Sequence, residues 1–144
     1  MNLLDANILL YAYDRSYRQH DRARRWLEDA LTGSVPVAFC WPTILAFLRI
    51  STNPRAVSRP LETSTAYRIV DGWLAVPMAT LLLPTDRHWE ILEKMLVAGQ
   101  ARGPLISDAH LAALAMEHGA TLVTNDRDFA RFAGLRVEYP LLDP

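Results

Sequence analysis

Lysine and cysteine are almost missing from this chain of 144 residues: Lys94 and Cys40 are the only ones. With one cysteine there is no intramolecular disulfide and no zinc site built from thiolates. Cys40 reads as a small buried hydrophobe, and the sequence fits a reducing compartment. Long apolar runs are also missing, because no segment reaches the ~18 uninterrupted apolar residues of a membrane helix. The N-terminus carries no positive region, and Asp5 interrupts it early, so a secretory signal is not expected. A soluble, cytoplasmic protein with no membrane contact is the expectation. The formal net charge of −1 provides no overall field for nucleic acid.

Apolar residues make up 51% of the chain. At this length folding hides roughly 70% of the unfolded surface, so a core forms without staples. There is no low-complexity stretch, linker or internal repeat. One domain over residues 1–144 is expected. Basic charge is nearly all arginine, and Arg15, Arg18, Arg22, Arg24 and Arg25 fall in one short stretch. Arginine forks suit phosphate. The plainer reading is a solvated helix face, with Asp21, Glu28 and Asp29 offsetting the charge.

Short apolar runs alternate with helical patterns. Strand-like segments are Met1 to Leu4, Val35 to Phe39, Thr80 to Leu83, Leu122 to Val123 and a last short one at Arg136 to Tyr139. Between them the spacing predicts helices over 6–13, 20–31, 42–50, 61–76 and 86–98. A further helix follows a Ser107 cap and ends near His118 and Gly119. Pro42 suits a first helical turn. On the helix over 86–98, Trp89, Leu92, Met95 and Leu96 are read as inward. This order predicts an α/β fold with a mainly parallel central sheet.

In such sheets ligands bind beyond the carboxyl ends of the strands. Asp5 and Asp126 sit at those ends, and Asp128 follows closely. Asp108 falls in the first turn of its helix, where the dipole favours an ionised carboxylate. Clustered carboxylates repel unless a cation or a proton balances them. All-oxygen ligation suits Mg²⁺ or Mn²⁺. Such an ion acidifies water and offsets phosphoryl charge, so phosphodiester hydrolysis is the natural reaction class. Each acid also has a plain reading. Asp5 caps the helix at Ala6, Asp108 answers a helix dipole, and Asp128 caps the turn at Phe129 to Phe132. His20, His88, His110 and His118 are scattered and read as structural. The four tryptophans read as core or dimer interface.

Three other α/β sites place an aspartate at a strand end. A haloacid-dehalogenase-like phosphatase needs Asp-x-Asp and a helper lysine; here the stretch is Asp5-Ala6-Asn7. A response-regulator receiver needs a lysine at a late strand end, and Lys94 lies within a helical stretch. No Gly-Lys-Ser/Thr phosphate loop occurs, which disfavours an NTPase.

Three blocks carry a family resemblance, in order and along essentially the whole chain. They are Leu4-Asp5-Ala6-Asn7-Ile8-Leu9-Leu10-Tyr11, Ile106-Ser107-Asp108-Ala109-His110-Leu111-Ala112-Ala113-Leu114-Ala115, and Ala120-Thr121-Leu122-Val123-Thr124-Asn125-Asp126-Arg127-Asp128-Phe129. The chain resembles PIN-domain ribonucleases, more narrowly the VapC-type toxins of type II toxin–antitoxin pairs. The resemblance implies a three-layer α/β/α sandwich and cleavage of single-stranded RNA regions. It also implies an acidic pocket for Mg²⁺ or Mn²⁺, a homodimer, and a cognate VapB-type antitoxin whose tail blocks the pocket. Carried over, Asp5, Asp108 and Asp126 would hold the metal, with Asp128 as a fourth catalytic acid. Asn7 and Thr124 would steady them. The family's usual glutamate in the helix after the second strand is missing; Ala46 stands in its place. A degenerate PIN-like module that only binds RNA or protein is the alternative reading.

Overall fold

The computed structural model describes residues 1–142. Residues 143 and 144, the end of the expected domain, lie outside them. The described chain runs β1 (Asn2–Leu4), α1 (Ala6–Tyr13), α2 (His20–Thr32), β2 (Val37–Phe39), α3 (Trp41–Ser51), α4 (Thr63–Leu74) and β3 (Ala79–Leu81). It continues with α5 (His88–Ala98), α6 (Leu105–Glu117), β4 (Thr121–Val123), a 3₁₀ helix (Arg127–Arg131) and β5 (Val137–Glu138).

The five strands form one sheet in the order β3-β2-β1-β4-β5. Every neighbouring pair is parallel, with Leu4 opposite Val123 and Leu3 opposite both Ala38 and Leu122. Alternation along each strand divides the core into two layers. Leu4, Val37, Phe39 and Val123 pack under α1 to α4. Leu3, Ala38 and Leu122 pack under α5, α6 and the 3₁₀ helix. The result is the α/β/α sandwich that the resemblance implies.

The caps place the functional end. Asp5 caps α1, its Oδ1 accepting from the Ala6 N–H at 2.7 Å. Pro42 lies in the first turn of α3, where its missing N–H costs nothing. Gly119 adopts φ +64° after α6, the left-handed turn that favours glycine. Two expectations need correction. Helix α6 begins at Leu105 after Pro104, so Ser107 lies inside it and does not cap it. Trp89 is 80% exposed, whereas Ile91 and Met95 form the buried face of α5.

Candidate active site

Asp5 follows β1 and Asp126 follows β4, and these strands are neighbours at the centre of the sheet. A buried hydroxyl connects the two acids. Thr124 is fully buried and donates to Asp5 Oδ2 at 2.7 Å. Its oxygen also accepts the Asp126 N–H at 3.0 Å and the Asn7 side-chain amide at 3.3 Å. Asn7 Oδ1 in turn accepts the Asn125 N–H at 3.2 Å. Asn7 and Thr124 thus hold the ends of β1 and β4 together by side chains.

Asp126 caps the 3₁₀ helix through its Oδ1, which accepts the Asp128 N–H at 2.9 Å. The turn is therefore capped by Asp126, not by Asp128 as the plain sequence reading had it. Asp128 is exposed at the rim. Asp108 stands half-buried in the first turn of α6, and the charges of the other three aspartates reach it. Its pKa is pushed up to about 6, first by burial and then by Asp126, Asp5 and Asp128; Arg131 opposes the shift. Burial also raises Asp5, against the lowering bonds from Thr124 and Ala6, while Asp126 adds repulsion. The four aspartates therefore share one mouth at the carboxyl end of the sheet.

Three neighbours have no site role in the sequence reading. The Tyr139 hydroxyl is buried without a hydrogen-bond partner among the described residues, and burial raises its pKa with help from Asp126. Cys40 lies near enough for the charge of Asp5 to add to the burial that raises its thiol. Its sulfur is 3.5 Å from the Thr43 hydroxyl. Arg131 lies near enough for its charge to oppose the rise of Asp108. None of the three carries a spacing signal, because each reaches the mouth only through the fold.

The histidines make structural contacts. His20 Nδ1 lies 2.8 Å from the Tyr11 carbonyl, and His118 Nε2 lies 2.8 Å from the Leu83 carbonyl. His88 links α5 to α6, with Nδ1 2.5 Å from Glu117 and Nε2 2.9 Å from His110. Arg49 is exposed in the last turn of α3, and no ion pair among the described residues joins it to a site aspartate. Ala46 is half-buried in the middle of the same helix.

The family model for the PIN domain matches residues 3–135. The chain belongs to the PIN-domain family. It is 45% identical over 140 residues to ribonuclease VapC37 of Mycobacterium tuberculosis, covering 97% of each chain. It is 38% identical to ribonuclease VapC43 of the same organism, over 98% of this chain and 96% of that one. Among solved structures it resembles VapBC2 of Rickettsia felis bound to a promoter DNA fragment, with TM-score 0.68 and 19% identity. That match covers 95% of this chain and 96% of the other. The sarcin-ricin-loop-cleaving toxin VapC20 of M. tuberculosis matches with TM-score 0.65 and 15% identity, over 94% and 99% of the two chains. At those identities the structural matches speak for the fold.

PIN-domain ribonucleases imply a divalent cation. The donor set suits a hard ion: it is all carboxylate, in excess of nearby positive charge, with Asp108 repelled by three like charges. Among the described residues, no three His, Cys, Asp or Glu side chains are gathered tightly enough to enclose an ion as they stand. The residues fit such an ion in type and charge.

Proposed function

We propose that this PIN domain, extending over residues 1–144, is a metal-dependent endoribonuclease toxin that hydrolyses phosphodiester bonds in single-stranded regions of RNA. The observation that carries the reading is the Thr124 hydroxyl, which donates to Asp5 and accepts the Asp126 N–H, so that two acids whose charges both reach Asp108 are held by one side chain. Asp5, Asp108 and Asp126 would hold Mg²⁺ or Mn²⁺, with Asp128 assisting from the rim. When bound, the ion would acidify a water and offset charge on the phosphoryl oxygens. The protein's own work is orientation. Thr124 and Ala6 fix both oxygens of Asp5. The N-terminal dipole of α6 favours the charged form of Asp108. No serine or cysteine nucleophile is required.

The PIN-domain relatives named VapC support a toxin restrained by a VapB-type antitoxin, and we extend that partnership to this chain. We place the protein in the cytoplasm, as a homodimer. Among the described residues no helix is long and apolar enough to cross a membrane.

The deciding test is cleavage of total RNA by pure protein, with and without divalent metal. Asp5→Asn and Asp126→Asn are each expected to abolish metal-dependent cleavage while the fold remains. If both variants cleave as the unaltered protein does, the assignment is wrong. The second reading is a PIN-like module that only binds RNA or protein. It draws on Ala46 in the place of the family glutamate and on the lack, among the described residues, of three candidate ligands gathered around one point. Absence of any metal-dependent cleavage would favour it.

A further inference from the structure

Arg131 is the last residue of the 3₁₀ helix that opens beside Asp126. Its Nη1 donates to the Gly99 carbonyl at 2.8 Å. Gly99 ends α5, where carbonyls lack partners and a cation is favoured. The Gly99 backbone is itself held in place: it is buried, and a β carbon there would lie 2.5 Å from the Phe132 ring. One corner of the guanidinium is therefore pinned to the start of the connection into α6, whose first turn bears Asp108. No ion pair among the described residues occupies the rest of it. Its charge nonetheless reaches Asp108.

An RNA strand brings one negative charge with every phosphate to a mouth that already holds four carboxylates. A single divalent ion offsets two charges and leaves the mouth negative. Substrate entry then calls for a fixed cation at the rim. Arginine suits that task, since it stays charged and offers several N–H groups in one plane.

We propose that Arg131 binds a phosphate of the RNA strand at the acidic mouth, with the Gly99 carbonyl holding its guanidinium in place. The proposal rests on the ribonuclease reading. It assigns Arg131 a role beyond closing the end of α5, which the Gly99 bond alone would explain.

The test measures binding of a labelled single-stranded RNA in Mg²⁺ at rising salt. It compares Asp5→Asn protein with the same protein carrying Arg131→Gln or Arg131→Lys. Arg131→Gln is expected to weaken binding roughly tenfold and to reduce the salt slope by about 1. Arg131→Lys keeps the charge and is expected to preserve the slope while recovering part of the affinity. In an otherwise unaltered chain, Arg131→Gln raises KM more than it lowers kcat. Unchanged affinity and slope in Arg131→Gln would overturn the proposal, whatever happens to the melting temperature. So would a variant that only escapes antitoxin inhibition, which would make Arg131 a partner contact. Failure of the unaltered chain to cleave RNA would reject the ribonuclease reading separately, because the binding comparison does not depend on turnover.

Discussion

Thr124 donates its hydroxyl proton to Asp5 across 119 positions of sequence, and the same oxygen accepts the Asp126 N–H. One buried side chain thus orients one acid and positions another. Thr124→Val keeps the shape and removes the oxygen. It leaves the Asp126 N–H and the Asn7 amide without their acceptor, at a cost of about 1–3 kcal/mol. Groups that steady metal-binding acids are typically worth about 10–100-fold in metal affinity or activity. Chemical denaturation together with metal-dependent RNA cleavage checks both figures. Full activity at undiminished stability would show that the hydroxyl is idle.

The metal-free protein should lose stability as pH rises. Asp108 ordinarily titrates near 3.8 and is pushed up to about 6 in the fold. Below its unfolded value both states hold the proton, and the stabilising contribution is complete. Between the two values only the folded state holds it, so stability declines until pH passes about 6. Asp5 is also raised and acts in the same direction. Mg²⁺ prefers the ionised form, so its stabilising effect should grow over the same range. Melting curves in chelator and in Mg²⁺, at about pH 5 and about pH 8, test this. The expected dependence shrinks in Asp108→Asn; an equal dependence in that variant would assign it to other groups.

Ala46→Glu restores the carboxylate that PIN-domain ribonucleases usually carry at this point. Among the described residues no three candidate ligands form a ready ion cage, so an added donor from α3 is expected to tighten Mg²⁺ binding and lower the metal concentration needed for cleavage. Metal titration followed by calorimetry decides the matter. Unchanged or weaker affinity would mean that the chain compensates elsewhere for its alanine.

Gly99→Ala tests the seat of Arg131. The new methyl would stand 2.5 Å from the Phe132 ring and 3.2 Å from the Met95 carbonyl. Overpacking of this kind costs about 1–3 kcal/mol. A lower melting temperature and weaker RNA binding are expected together. Weaker stability with intact binding would separate the anchor from the phosphate contact.

Much of this geometry could be read from the sequence where local chemistry was decisive. The break between β1 and α1 falls at Asp5, because a capping carboxylate between two apolar runs marks it. The end of α6 just before Gly119 is legible because glycine favours the left-handed backbone that stops a helix. The start of α6 was less legible, since Pro104 and Ser107 are both good first-turn residues and only packing chooses between them. Trp89 borders the apolar stripe of α5, where periodicity cannot tell the inner edge from the outer, and it stands exposed. The Arg131 anchor and the His88 link between Glu117 and His110 leave no mark in the sequence. Each joins residues far apart in the chain, and no spacing encodes the distance between them.

The order of strands also has a temporal consequence. The first strand made is the middle one of the sheet, and its β4 neighbour is Thr121–Val123. At translation rates of about 5–20 residues per second, Asp5 waits on the order of ten seconds before Thr124 exists. A polypeptide interrupted before that point has no complete mouth, however much of it has been made. Cutting activity of this design appears late in synthesis, so the cell has an interval in which to supply the inhibitor.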